Sequence, residues 1–210
     1  MGYQGEIEGV YLGEVNHVGP DDTPTGIYKY AVDSPVLLTS TGLKGDLQVD
    51  RRVHGGPEKA LHHLPAENYA VLSQALPHLA DGFVPGSAGE NISTHGITDT
   101  DAHIGDIIRM GEALIQISQP RRPCWKVNHR YGNGHIAPLL MSQGITGWYY
   151  RVLEEGMIGS GDRYELIDRL EGSASVASIW QIFLEKLRSR KPIEAFNTDI
   201  PGLSEEWAFE

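Results

Sequence analysis

The chain has a single cysteine, Cys124, in 210 residues. One thiol rules out an internal disulfide framework and any metal cluster built on cysteine alone. Positive charge is also scarce: 17 Lys plus Arg stand against 28 Asp plus Glu, a net charge of −11 with histidines neutral. Nucleic acids and membrane surfaces both reward an excess of cations, so neither is expected as a partner. No apolar run approaches the roughly 20 residues that a membrane helix needs. The opening residues, Met1-Gly2-Tyr3-Gln4-Gly5-Glu6, carry neither a basic flank nor an apolar core. A secretory signal is therefore not expected, and a soluble cytoplasmic protein is. Gly-x-Ser-x-Gly, a Walker-type phosphate loop and a nicotinamide or flavin fingerprint are all missing.

What is present is globular. Hydrophobic residues make up 40% of the chain and charged residues 21%, which is a composition that folds. The length suits one sizeable domain with a small appendage. The 25 glycines are scattered, and short β-rich runs alternate with them. Examples are Gly9–Gly13, Ile27–Val32, Val36–Thr39, Ile104–Met110 and Ala113–Ser118. Many short strands separated by turn signals predict a mainly β fold, a barrel or a sandwich. Met110-Gly111-Glu112-Ala113 reads as a tight hairpin.

Helical signals are few. Pro65 can open a helix that runs to about Leu76, before Pro77. A second covers Ile136–Gln143. After a final strand near Tyr164–Ile167 the pattern changes, and Val176, Ile179, Phe183 and Leu187 recur at helical spacing behind a Ser175 cap. Shorter helical signals follow at Ile193–Phe196 and Ser204–Trp207. Residues 1–167 are thus expected to form the β domain and 168–210 a small helical unit. Some 40 residues rarely hold a core alone, so this unit should pack on the barrel or on a partner, with Trp180 and Trp207 in its core.

The cations are unevenly placed. Arg51, Arg52 and Lys59 fall within residues 51–62, and Arg121, Arg122, Lys126 and Arg130 within 121–130, opposed there only by Glu58. Two such windows on an acidic chain could be solvated faces, or could converge on a small anion. The first holds His54-Gly55-Gly56, and glycines let backbone N–H groups approach a phosphate closely. His62 and His63 point to opposite faces if their segment is a strand. At most one then joins His54, so a three-histidine metal site is not expected. The second window holds the only thiol, in Gln119-Pro120-Arg121-Arg122-Pro123-Cys124-Trp125-Lys126. Nearby guanidinium and ammonium groups favour thiolate. The chemistry leaves three roles open for Cys124: nucleophile, redox sensor, or one soft ligand on a metal brought in by a cofactor.

Several motifs occur together and in a recognisable order. They are Gly42-Leu43-Lys44-Gly45-Asp46, Val53-His54-Gly55-Gly56, Gly89-Glu90-Asn91-Ile92-Ser93, Gly105-Asp106, and Gly111-Glu112-Ala113-Leu114 followed by Gln119-Pro120-Arg121-Arg122-Pro123-Cys124. In this the chain resembles MOSC-domain proteins, most closely the stand-alone bacterial YiiM-like group associated with reduction of 6-N-hydroxylaminopurine. The resemblance spans most of residues 1–167, and more loosely the tail, which is similar to that group's three-helix appendage. It implies a β-barrel that binds a molybdenum cofactor of the molybdopterin type, with Cys124 as the protein ligand to the metal and the catalytic residue. It further implies His54, Gly55, Gly56, Lys59 and Arg121 as contacts to the cofactor's anionic part, and Asn91 and Asn128 as residues orienting cofactor or substrate. His62-His63 and Trp125 depart from the pattern, and residues 16–26 match none of it. The implied activity is reduction of an N-hydroxylated, purine-like small molecule, R–NHOH to R–NH2, with electrons from a separate reductase. The competing expectation is a non-catalytic carrier of cofactor, or of sulfur as a Cys124 persulfide.

Overall fold

The computed structural model describes residues 2–49, 54–189 and 199–207. In chain order the strands are β1 (Gln4–Gly13), β2 (Asn16–Val18), β3 (Thr23–Thr25), β4 (Lys29–Ala31), β5 (Val36–Thr39), β6 (Gly42–Leu43), β7 (Leu61–His63), β8 (Ile92–Thr94), β9 (Ile107–Met110), β10 (Ala113–Pro120), β11 (Trp148–Glu154), β12 (Gly156–Ile158) and β13 (Arg163–Asp168). The helices are α1 (Ala66–Ala75), α2 (Trp125–Arg130), α3 (Ile136–Gln143) and α4 (Val176–Arg188).

Seven strands close a barrel in the order β13-β9-β10-β11-β7-β8-β1, with β1 pairing back onto β13. Closure leaves no open edge among these strands. Every pairing in the ring is antiparallel except β7 with β8, which is parallel. The mainly β expectation holds, and the chain-local signals hold with it. The β9–β10 hairpin pairs Met110 with Ala113, and Gly111 at φ +53° supplies the turn. Pro65 immediately precedes α1, and α3 spans Ile136–Gln143 as expected.

Alternation along β11 and β7 determines which side chains face the barrel. Leu61, Trp148 and Tyr150 enter the core, with His63 against Trp148 at a ring distance of 4.4 Å. His62 and Tyr149, register partners across the same two strands, therefore face the other way. That outer face is the floor of the site described below.

A second apolar cluster lies beyond this floor. Val18 and Ile27 meet Leu64, Tyr69 and Leu72 around α1, and Val127, Ile136 and Leu140 from α2 and α3. Residues 16–26, which match no motif, form the β2–β3 hairpin that packs here, with Asn16 paired to Thr25.

The C-terminal segment shares the barrel's core. Ser175 Oγ accepts from the Ser178 amide at 3.1 Å and caps α4. Val176, Ile179, Trp180 and Leu184 are buried in the same cluster as the barrel strands, together with Trp207. Leu187, expected on the inner stripe, is 60% exposed, because the stripe runs through Trp180 and Leu184 instead. Ser204–Trp207 forms one hydrogen-bonded turn, and Ile193–Phe196 lies outside the described residues.

Candidate functional site

Strand β10 ends at Pro120, and the chain turns through Arg121-Arg122-Pro123 to Cys124, the residue before α2. The Arg121 amide donates to Gly147 O at 3.0 Å, which ties this turn to the start of β11. On the other side of the floor, His54 and Gly55 precede a short 3-10 turn at Pro57–Lys59. Gly55 has φ +126°, a backbone conformation that favours glycine. The two cationic windows thus reach one cleft, lined by His54, Gly55, Lys59, His62, Asn91, Arg121, Cys124, Lys126 and Tyr149, with about 610 Å³ of space that is open to solvent at its mouth. A second lobe, with about 850 Å³ of space that likewise includes open solvent, lies beside it. It shares His54, Lys59, Cys124, Lys126 and Tyr149, and adds Gln119, Arg122, Trp125 and Glu206.

Charge in the first lobe is mostly positive: Lys29, Lys59, Arg121 and Lys126 against Asp46. Asp46 is fully engaged. Its Oδ1 accepts from Lys29 Nζ at 2.6 Å and from the Gly13 amide at 2.7 Å, and its Oδ2 accepts from Asn91 Nδ2 at 2.9 Å. Burial pulls the Lys29 pKa down, and the Asp46 carboxylate opposes that shift. Lys59, 8% exposed, is ion-paired with Glu206 of the C-terminal segment. Lys126 Nζ donates to Pro24 O at 2.8 Å. Arg122 lies 4.8 Å from the Phe183 ring centroid and 4.5 Å from that of Trp207, so the tail clamps the cysteine loop from behind.

The floor holds a polar group that was not foreseen. Tyr149 lines both lobes, and its hydroxyl is 3.5 Å from His54 Nδ1. Burial raises its pKa, while the charge of the nearby Arg121 guanidinium opposes the shift. The Arg121 guanidinium is also beside the Cys124 side chain, yet its Nε is buried with no hydrogen-bond partner among the described residues. His62 is similar: its Nε2 is buried and unpartnered. Beneath the wall, the fully buried Glu90 accepts from Tyr69 Oη and from the Gly86 amide, each at 2.5 Å, and from the Ala88 amide at 3.2 Å. Burial raises the Glu90 pKa against those donors. The bonds hold the loop that delivers Gly89 and Asn91 to the cleft.

Not every expected residue is here. Asn128 is outside the cleft: its Oδ1 accepts from the Ala137 amide at 2.7 Å and anchors the start of α3. Gly56 is not part of the lining either; at φ +91° it caps the turn that presents Lys59. Asn91 does line the cleft, but its side chain is used to brace it, accepting from the His62 amide at 3.2 Å and donating to Asp46. Arg130 donates to Ser87 O and lies over Tyr28, away from the cleft. Arg51 and Arg52 lie outside the described residues. Trp125 is 47% exposed and lines the second lobe, because α2 turns it outward onto Gly19 and His129. Lys29 and Tyr149 could have been found only by knowing the β7–β11 register and where β4 lies, and the same register decides that His62 rather than His63 joins His54 in the cleft.

Among the described residues no group of three or more His, Cys, Asp or Glu could hold a metal ion, and no helix is long and apolar enough to cross a membrane. The cleft does fit a bulky anionic cofactor that carries its own metal. It offers one thiol, an excess of cations, and two buried nitrogens that lack partners among the described residues. Burying unpaired polar atoms costs about 1–3 kcal/mol each, which contact with a bound group would relieve.

Known proteins share this architecture. Residues 50–165 match the MOSC domain. The chain is 37% identical over 201 residues to Protein YiiM of Escherichia coli, covering 94% of this chain and 87% of that protein. It is 33% identical over 159 residues to a protein of Gibberella moniliformis named Reductase, covering 75% of this chain and 28% of that longer one. The crystal structure of YiiM from Escherichia coli superposes with a TM-score of 0.77 at 32% identity, covering 97% of this chain and 89% of that one.

Proposed function

The chain belongs to the MOSC-domain family, and from that premise we propose that it is a molybdenum-cofactor-dependent reductase of N-hydroxylated compounds such as 6-N-hydroxylaminopurine. MOSC domains are associated with molybdenum-cofactor binding, and one relative is named a reductase. The single observation that carries the reading is that the only thiol, Cys124, shares one cleft with His54, Lys59, Arg121 and Lys126.

The balanced reaction is R–NHOH + 2e⁻ + 2H⁺ → R–NH2 + H2O. When bound, the cofactor supplies the two-electron chemistry, and the electrons reach it from a separate reductase. The chain supplies binding, orientation and protons. Cys124 is the soft protein ligand to the metal. Arg121 and Lys59 hold the cofactor's phosphate, Arg121 through its planar fork, with His54 and the Gly55 amide beside them. Tyr149 Oη and His54, 3.5 Å apart, are proton-bearing groups facing the same space as Cys124. The second lobe, with the exposed Trp125 ring, gives a flat heteroaromatic substrate room beside the thiol.

That lobe favours an enzyme over a carrier, which needs no substrate space. The test is an assay of protein made in a cofactor-competent host, with N-hydroxyadenine and reduced viologen. Turnover that tracks molybdenum content is the expected result. Stable molybdenum without turnover would assign the carrier role instead.

A further inference from the structure

We propose that His62 makes this cleft selective for bound anions that still carry a hydrogen: its Nε2 accepts from an O–H or N–H of the guest while Arg121 Nε donates to the same guest. The inference rests on the anion-binding part of the reading above and not on the identity of the cofactor.

His62 Nδ1 lies 3.4 Å from Gly89 O. A carbonyl oxygen only accepts, so Nδ1 carries the hydrogen. Burial first, and the nearby Arg121 guanidinium second, hold the His62 pKa well below the ordinary value, so the ring stays neutral. A neutral ring with its hydrogen on Nδ1 has a bare lone pair on Nε2. That lone pair is buried and has no partner among the described residues. The ring cannot easily swing elsewhere, because Nδ1 is held by Gly89 and the ring packs on Tyr149 at 5.3 Å.

Arg121 is the complement. Its Nε–H, in the same cleft wall, is a buried donor without an acceptor among the described residues. An acceptor-only anion satisfies Arg121 and leaves the His62 lone pair facing negative charge, which is repulsive. An anion with one remaining hydrogen satisfies both. Buried polar groups normally find partners, and two orphans of opposite character in one cleft define the partner they lack.

Hydrogen phosphate and sulfate separate the cases. At pH 8 both are dianions, and only hydrogen phosphate carries an O–H. Calorimetric titration of the full, cofactor-free chain at matched ionic strength should show hydrogen phosphate preferred on the order of tenfold or more, the range of one hydrogen bond to a charged group. His62→Phe should remove the preference by weakening phosphate alone, and His62→Gln, which keeps an acceptor, should retain part of it. Equal affinity of the wild type for the two anions would overturn the proposal. So would a His62→Phe chain that loses both anions by one factor, the signature of a merely structural ring. Should His62→Phe not fold, ¹⁵N spectra of histidine-labelled wild type decide: the Nε2 resonance of His62 should move from the bare towards the hydrogen-bonded range with phosphate and stay put with sulfate. A shift with both anions, or with neither, would equally refute it. Molybdenum content is measured independently, so loss of this selectivity and failure of the cofactor reading are separate outcomes.

Discussion

His62 and Tyr149 face each other across the β7–β11 pair, with ring centroids 5.3 Å apart, on the side of the sheet away from the barrel core. Their neighbours in the same two strands, His63, Trp148 and Tyr150, are buried inside. The period of two thus sorts one stretch of aromatic sequence into a core layer and a site layer. It also places Tyr149 where a tyrosine of the barrel core could not reach. Its hydroxyl meets both lobes and the His54 ring.

Tyr149→Phe should therefore leave the fold and the molybdenum content intact and lower kcat. A positioned proton donor contributes about 10²–10⁴-fold, so a fall of about 10² or more is expected, with KM little changed. Steady-state kinetics beside metal analysis checks this. A variant with wild-type kcat would remove Tyr149 from the reaction.

Cys124→Ser should keep the fold and lose the metal centre. Serine is a harder, weakly acidic ligand that does not replace thiolate at neutral pH. Cys124 is partly exposed and not a core residue, so near-UV circular dichroism should match the wild type. Molybdenum content should fall to background. A Cys124→Ser protein with full molybdenum and full activity would end the ligand assignment.

These two residues also mark how far the sequence reached. Cys124 stood out because it is the only thiol and sits between cations, and the family resemblance gave it a role. Strands and the Met110–Ala113 hairpin were legible because alternation and a turn glycine are local signals. Tyr149 was not, since Trp148-Tyr149-Tyr150 reads as plain apolar strand until its register with His62 is known. The β2–β3 hairpin was hidden by its length of three residues per strand and by Pro24 within it. Helix α2, six residues beginning just after Cys124, is too short to show a period. Asn128 is the reverse case. Its position near the motif suggested a ligand contact, and its side chain instead completes a helix start.

Acid should destabilise the protein through its inner histidine. Burial holds the His63 pKa down at about 3, while an unfolded histidine titrates near 6.5. Above pH 6.5 both states are neutral and nothing is lost. As pH falls through 6.5 the unfolded chain gains a proton that the native chain refuses, and stability declines until about pH 3. At pH 5 the loss is about 2 kcal/mol. Asp99 works the other way, since burial raises its pKa to about 6 and the native state takes up its proton first. Denaturant titrations of the wild type and His63→Gln at pH 7.5 and 5.0 isolate the histidine. The variant should lose about 2 kcal/mol less over that interval, and parallel losses would exclude His63 as the cause.

Trp207→Ala tests the union of tail and barrel. Trp207 is fully buried, shares the barrel's core cluster, and flanks Arg122 at 4.5 Å. Truncating a buried Trp costs about 3–5 kcal/mol. The expected result is a large drop in global stability, seen as one cooperative transition at lower denaturant. A separate early transition, with the barrel's midpoint unchanged, would show the tail to be an independent unit.

Arg121→Ala should weaken anion binding without unfolding the chain. Arg121 is almost fully buried, and its fork reaches Tyr149 and Cys124 while Nε stays unpartnered among the described residues. A guanidinium kept in this state costs desolvation energy that an anion offsets. Removing it deletes a charged hydrogen bond, about 1.5–3 kcal/mol or roughly 10–150-fold in affinity. Inorganic pyrophosphate is a suitable probe of the cofactor-free protein, because it needs no metal and reports on the phosphate contacts alone. Arg121→Lys separates charge from shape: it keeps the cation and loses the planar fork. Lysine should recover only part of the affinity and should show the steeper decline with added salt, since a point charge relies more on unscreened attraction. Full recovery by lysine would mean that the fork is irrelevant. Unchanged affinity in Arg121→Ala would mean that the anion sits elsewhere, against Lys59 and Lys126 only.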